Sequence, residues 1–522
     1  MPDAIYYHGK VYTVDRMLGM QSGFAVEGDH IVAVGSDAKV LALAGPSTRR
    51  IDLGGAAVIP GLNDSHDHLW NTGRYLVRGI DMVGVASRQE LVARLRAAVE
   101  KAAPGTVVYT TIGWSVKPGL TRADLDAISA TVPIALIANR RGAGMLNTAA
   151  LARLGISQQQ PSWRGEAVPV DKSGEPTGET PGFPASVQMI KVLLPPMTSA
   201  EEDKLVKDAM TERNALGITS IRELALWPSG LAALERMRRE NQLTVRFSIG
   251  MEYPDQENSI PQLAALKRPP MTDAWLQVET SSEEPWAGTM SAAQFTAFVR
   301  ELNRIGWRAA THVAPSTGHA LGADTATDIT LAAFEAADRD ASLKGKRWSV
   351  EHVPFATPLQ MKRMEKLGLI VSVQDAGIAP AASIPASLGR MGRQSPIREL
   401  LDRNLVVVGG SDYGGPGPAS RTPNNPMLSF YFYVTRLNRE GKKIAPAQRI
   451  SRLEALRLFT SNSAFATFQE NVKGRIVPGL FADFVILNQD LMTVPEKRIL
   501  ETRPLATFVG GKNVYSAPRS RF

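Results

Sequence analysis

The chain has 522 residues, 44% of them hydrophobic and 21% charged, enough to bury one large core and smaller satellites. It contains no cysteine, which excludes disulfides and thiolate ligands and leaves only nitrogen and oxygen donors for any metal. The net charge of +8 comes from scattered Lys and Arg, with small pairs such as Arg238-Arg239 and Lys442-Lys443 rather than a basic stripe, so nucleic-acid binding is not expected.

Asp3 and the mixed segment after it carry no charged-then-apolar leader, and no apolar run of about 18 residues follows. A cytoplasmic protein without a membrane partner is expected, with a homodimer as the assembly to consider. Residues 4–14 and 24–34 read as short strands and turns, and so do 484–487 and 507–514 near the other end. Residues 1–58 and 472–522 are therefore predicted to pair as one composite β-sandwich. The rest, 59–471, is predicted to be a barrel domain.

An apolar run, Ala56 to Ile59, breaks at Pro60-Gly61 and leads at once into Asn63-Asp-Ser-His66-Asp-His68. A strand period of two points His66 and His68 the same way, and two imidazole nitrogens converging on one point make half a metal site. Asp67, between them, points away and is expected to brace the loop. Roughly 150 residues then precede the next barrel strand, far more than one crossover helix needs. They hold strand-like 107–112 and 133–137, an amphipathic helix near 89–101 and a Pro/Gly-rich stretch at 161–184. An inserted α+β subdomain, about 75–198, is predicted to overhang the site.

Eight β-prone runs can be counted, at 62–65, 219–222, 244–249, 275–278, 309–313, 348–352, 369–373 and 405–408. Helical patterns lie between most of them, at 199–216, 229–241, 291–305 and 358–367, with Ser199 and Glu202 reading as a capping box. Strand then helix, repeated, predicts an α/β fold with a parallel sheet closed as a (β/α)8 TIM barrel. Of only seven histidines, His312 and His352 each end one of these runs, as His66 does, and Asp412 follows the last one through Gly409-Gly410. In such a barrel the carboxyl ends of all strands open on one face, so ligands far apart in sequence can meet there.

These motifs resemble the amidohydrolase superfamily, in the amidohydrolase family 3 branch that includes N-substituted formamide deformylases. The resemblance covers nearly the whole chain: Gly9-Lys-Val-Tyr-Thr-Val-Asp15, Val58-Ile-Pro-Gly through His68, Pro176-Thr-Gly178, Gly217-Ile-Thr-Ser220, Glu351-His352, Ser372-Val-Gln374, Gly410-Ser-Asp412, Glu454-Ala-Leu-Arg457, Gly474 through Phe484, and Val509-Gly-Gly-Lys512. It implies the same barrel and sandwich, one or two divalent metals, and hydrolysis of C–N bonds in small molecules. Three departures stand out. Where the family commonly has a fourth-strand lysine that is carbamylated to bridge two metals, this chain has Gln277; Glu279, two residues on, can substitute as a carboxylate, and otherwise one metal, zinc, is expected. The family's Gly-His pair ahead of Asn-Ser appears as Arg141-Gly-Ala-Gly-Met-Leu-Asn147-Thr148, without the histidine. The fifth-strand motif is split, so that either His312 or His319 is the ligand, with His312 preferred because it ends the strand.

The expected chemistry assigns His66, His68 and a fifth-strand histidine to the metal, with Asp412 as ligand and proton shuttle. His352 either ligates a second metal or polarises the substrate carbonyl. Glu351 faces the opposite way along its strand and is expected to be a supporting or structural carboxylate. Trp70, Trp114, Trp286, Arg140, Arg222, Glu223, Gln277 and His319 are candidates for contact with substrate. The function expected is cleavage of an amide, formamide or cyclic amide. The alternatives are a metal-dependent decarboxylase, lyase or isomerase on the same ligands, and a non-catalytic binding protein.

Overall fold

The computed structural model describes residues 1–70, 79–82, 84–110, 119–136, 144–163, 166–181, 183–253, 256–267, 273–283, 290–313, 323–374, 394–412, 425–438 and 441–522. The two ends of the chain share one sheet. Strand Ala57–Pro60 pairs in parallel with Lys10–Tyr12 and antiparallel with Phe484–Leu487, which continues into Pro504–Val509 and Lys512–Ser516. A second sheet, built from Ala4–Tyr7, Gly23–Glu27, His30–Gly35 and Arg49–Asp52, packs on it. Tyr6 stacks on Phe24 with centroids 4.7 Å apart, Phe484 on Phe508 at 4.4 Å, and the two pairs meet edge to face between the sheets. Burying four aromatic rings joins segments more than 450 residues apart in sequence.

Among the described residues, eight parallel strands form the middle of the chain. The first four are β1 (Leu62–Asp67), β2 (Ile218–Leu226), β3 (Arg246–Met251) and β4 (Leu276–Ser281), hydrogen-bonded in the order 4-3-2-1. The others are β5 (Ala310–His312), β6 (Ser349–Glu351), β7 (Ile370–Val373) and β8 (Val406–Gly409), in the order 5-6-7-8. These ladders are two half-sheets and do not close into the single cylinder that the strand count predicts. At one seam β4 meets β5 through an isolated bridge, Thr280 with Arg308. At the other, the N–H of Asn63 that a closed ladder would use donates instead to Phe459 O at 2.7 Å, while Asn462 Nδ2 donates to Val407 O at 3.0 Å. The helical segment after Leu458 thus takes up bonds that β1 and β8 would otherwise offer each other.

Helices Ser199–Ala215, Pro228–Arg239, Ala292–Arg304, Ala323–Asp340 and Pro358–Leu367 cover the strands from outside, and their apolar faces merge into one core with the strand side chains. The capping box of the first is Thr198 with Glu201, one residue earlier than the Ser199 and Glu202 expected. Both pairs fit the motif, and the helix begins at Ser199, which leaves Thr198 as the extended residue a cap requires.

Between β1 and β2 lies a separate α+β unit, with strands Val108–Tyr109, Ile134–Leu136 and Met145–Leu146 and two small apolar cores of its own. Its last helix, Phe183–Leu193, is pinned to the carboxyl end of β3. There Lys191 Nζ donates to Glu252 Oε1 at 2.7 Å in a buried pair, and Trp227 Nε1 donates to the other oxygen at 3.0 Å. On the opposite side Arg246 of β3 forms a buried two-point pair with Asp483, which locks the sandwich to the strands. Among the described residues no helix is long and apolar enough to cross a membrane.

Candidate metal centre

Four histidines and two carboxylates converge at the carboxyl ends of the strands. His66 lies near the end of β1 with His68 just beyond it, His312 ends β5, His352 follows β6, and Asp412 follows β8 after Gly410. His352 and Asp412 adopt φ of 66° and 52°, a region non-glycine residues rarely occupy. At His352 this turn matters, because regular alternation would point it away from the face that Glu351 uses. Gly410 lets β8 approach β1: a Cβ there would lie 2.5 Å from His66 Cβ.

Glu283, two residues past β4, stands at the centre. Its Oε2 is 3.1 Å from His312 Nδ1, 3.4 Å from His352 Nε2 and 3.5 Å from His66 Nε2, while Oε1 is 3.2 Å from His68 Nε2. Asp412 Oδ1 lies 3.4 Å from His68 Nε2 and 3.7 Å from His66 Nε2. Donor atoms bound tetrahedrally at about 2.1 Å stand roughly 3.4 Å apart, so these spacings fit ligands around a common cation. Two triads, His66 with His68 and Glu283, and Glu283 with His312 and His352, share the one carboxylate. His352 Nε2 is buried with no hydrogen bond among the described residues, although it faces Glu283.

The electrostatics point the same way. Burial alone would lower the pKa of His66, but Glu283 and Glu351 push it up to about 10, and the carboxylates raise His68 well above its usual value. Burial would raise Glu283 and Asp412. The surrounding imidazoles instead hold both well below the carboxylate range. Burial and the neighbouring His312 keep His352 low, hence neutral. The two carboxylates thus demand positive charge at one point, and a divalent cation satisfies that demand while leaving every imidazole neutral.

Of the residues expected here, the structure brings together His66, His68, His312, His352 and Asp412. Glu279 is not among them, and the expectation that it supplies the fourth-strand carboxylate is corrected: it lies mid-strand and fully buried, held by Arg222 Nε at 2.8 Å and by Arg308. Arg222 is likewise no substrate contact, because its guanidinium is buried between Glu279 and Glu351. Gln277 donates to Ser248 Oγ and Thr467 O, both at 2.8 Å, away from the histidines. Trp70 is 1% exposed and packs on Gly230 of the Pro228–Arg239 helix rather than lining an open pocket. Glu223 accepts from the N–H groups of Trp70 and Ala225, so it orders the β1 and β2 ends. Asp67 meets Arg213 in a buried two-point pair. Trp114, Arg140, Trp286 and His319 lie outside the described residues.

Sequence reasoning missed Glu283. Parity alone could not single it out, since Glu279, Ser281 and Glu283 share one strand parity, and the strand end at Ser281 that sets Glu283 apart is a feature of the fold.

A profile described as "Amidohydrolase family" matches residues 49–515. Protein LONG AFTER FAR-RED 3 of Arabidopsis thaliana is 26% identical over 554 aligned residues, spanning 98% of this chain and 91% of its own length. N-substituted formamide deformylase of Arthrobacter pascens is 23% identical over 548 aligned residues, spanning 98% of each. In fold, the chain is similar to the crystal structure of an uncharacterized metal-dependent hydrolase from Pyrococcus horikoshii OT3, with a TM-score of 0.71 at 20% identity, covering 95% of this chain and 99% of that one. A match spanning residues 49–515 settles the family: this chain belongs to the amidohydrolase family.

Proposed function

We propose that the chain hydrolyses an amide, formamide or cyclic amide bond of a small molecule at a centre of two divalent cations, most simply zinc, with Glu283 shared between them. The observation that carries this reading is that Glu283 faces four imidazole nitrogens at 3.1–3.5 Å. The single metal expected from Gln277 rested on the lack of a bridging group, a place that Glu283 would fill, since it belongs to two candidate ligand triads. His66, His68 and Asp412 would hold one cation, and His312 and His352 the other. The two half-sheets serve as the barrel scaffold on whose carboxyl face this centre sits.

A cation at such a site lowers the pKa of water in an open coordination position to near 7 and polarises a carbonyl. The chain's own groups do the rest. Asp412, kept ionised by the imidazoles around it, accepts a proton from the attacking water and delivers it to the departing nitrogen. Glu283 and the four imidazoles fix the positions of charge before substrate arrives, which is where such sites gain most of their rate. The Lys191–Glu252 pair holds the last helix of the inserted unit at the carboxyl end of β3.

The test is a screen of N-formyl, N-acyl and cyclic amide compounds with metal-loaded protein, run in ¹⁸O-labelled water. Hydrolysis places one labelled oxygen in the acid product. Turnover that releases CO₂ without taking up label would replace this reading with a decarboxylase.

A further inference from the structure

A chain of buried charges runs inward from the metal centre. His66 Nδ1 lies 2.8 Å from Glu351 Oε2, and both side chains are fully buried. The other oxygen of Glu351 accepts from Arg222 Nη1 at 2.9 Å and from the Ser349 hydroxyl at 2.5 Å. Arg222 Nε donates to Glu279, whose second oxygen is held by Arg308, and Arg308 in turn donates to Arg347 O and Ala466 O. Two carboxylates and two guanidiniums alternate along this line, so their formal charges cancel. A buried run of this kind contributes little net stability over apolar packing, although breaking it is costly. Its presence beneath His66 therefore calls for another reason.

We infer that Glu351 is a positioning residue for the metal centre: it accepts the hydrogen bond of the His66 Nδ1–H, and the Arg222–Glu279–Arg308 run supplies the counter-charge that lets a carboxylate stand in the interior. An imidazole carries one proton in its neutral form, so donation from Nδ1 leaves the lone pair on Nε2, the atom that faces Glu283 and Asp412. A carboxylate acceptor also makes that lone pair more basic and fixes the ring plane. Gly410, which leaves no room beside the His66 backbone for a side chain, holds the other end of the same residue.

This inference rests on the reading of the cluster as a metal centre, and the experiment separates the two. The affinity of each purified protein for zinc is measured by competition with a chromogenic chelator, alongside the melting temperature of the metal-free form. Glu351→Gln keeps an acceptor but removes the charge, and it leaves Arg222 and Arg308 with only Glu279. The double variant R222Q/E351Q removes one charge of each sign and leaves Glu279 with Arg308. The expected result is that E351Q loses both thermal stability and about 10–100-fold in zinc affinity, while the double variant regains stability but not affinity. If the double variant regains wild-type affinity together with its stability, Glu351 is structural only and the inference fails. Should wild-type protein bind no zinc, the reading of the cluster itself falls.

Discussion

The backbone N–H of Asp412 donates to the carbonyl of His66 at 2.9 Å, which ties together two candidate ligands that lie 346 positions apart in the chain. Asp64 reinforces the join, because its Oδ1 accepts from the N–H groups of both Ser411 and His66, at 2.9 and 3.2 Å. The β1–β8 seam, which lacks a ladder, is therefore the one along which His66 and Asp412 are held.

Gly410→Ala tests how tight that seam must be. The added methyl would meet His66 Cβ at 2.5 Å and His66 N at 2.7 Å, and the backbone atom cannot move aside alone. Overpacking of this kind costs about 1–3 kcal/mol. A lower melting temperature and weaker zinc retention on dialysis are expected together. An unchanged metal content would show that β1 and β8 can separate without disturbing His66.

Glu283 and Glu279 separate metal binding from folding. Glu283→Gln keeps the shape but removes the charge that four imidazoles share, so elemental analysis should fall from two equivalents of metal to one or fewer while the melting temperature of the metal-free protein is held or rises. Glu279→Gln leaves Arg222 and Arg308 buried with half their counter-charge and should cost about 3–5 kcal/mol in denaturant unfolding. If wild-type protein holds one equivalent and E283Q keeps it, the shared-carboxylate reading is wrong.

The cluster was largely legible because His66, His312 and His352 each stand at the end of a short β-branched or apolar run, and a strand end is a position that periodicity can locate. Glu283 was hidden for the same reason. The segment Glu279-Thr-Ser-Ser-Glu-Glu284 offers three carboxylates and no apolar stop, so nothing local says where β4 ends, and the choice fell on the one nearest the absent lysine. Arg222 and Gln277 sit on strands whose direction was read correctly, but depth along a strand decides whether a side chain meets substrate or interior, and depth depends on register with neighbours. Closure of the strands was beyond local reading too. At the β1–β8 seam Phe459 accepts the N–H of Asn63, a contact between residues 396 positions apart that no periodicity foretells.

Lys473 gives a pH dependence away from the metal. It is 3% exposed, donates to Asn63 Oδ1 at 2.9 Å, and is pushed down to about 7 by burial and then by the nearby Arg246. Its ordinary value is 10.5, so between pH 7 and 10.5 the unfolded chain holds a proton that the folded chain has released. Stability therefore rises with pH across that window, by up to about 1.4 kcal/mol per unit, and the cost is complete below pH 7. Lys473→Met removes the titration. Denaturant unfolding at pH 7 and pH 9 should show wild type gaining on the variant at the higher pH, and parallel curves would mean that Lys473 stays charged in the fold.

Asp412→Asn isolates the proton transfer. Asn keeps the shape and one oxygen donor but accepts no proton near neutrality, so neither the attacking water nor the departing nitrogen is served. Turnover of whichever amide the screen identifies should fall by about 10²–10⁴-fold, and further if a cation is lost with the charge. Metal content must be measured on the same sample, because Asp412 lies within 3.7 Å of both His66 and His68 and contributes to the pull on the cation. His66→Ala is the contrast: it should lose metal first and activity as a consequence, with added zinc restoring part of the rate. If D412N with full metal occupancy turns over near the wild-type rate, the shuttle is another group, and Glu283, the other carboxylate among the imidazoles, is the next to replace.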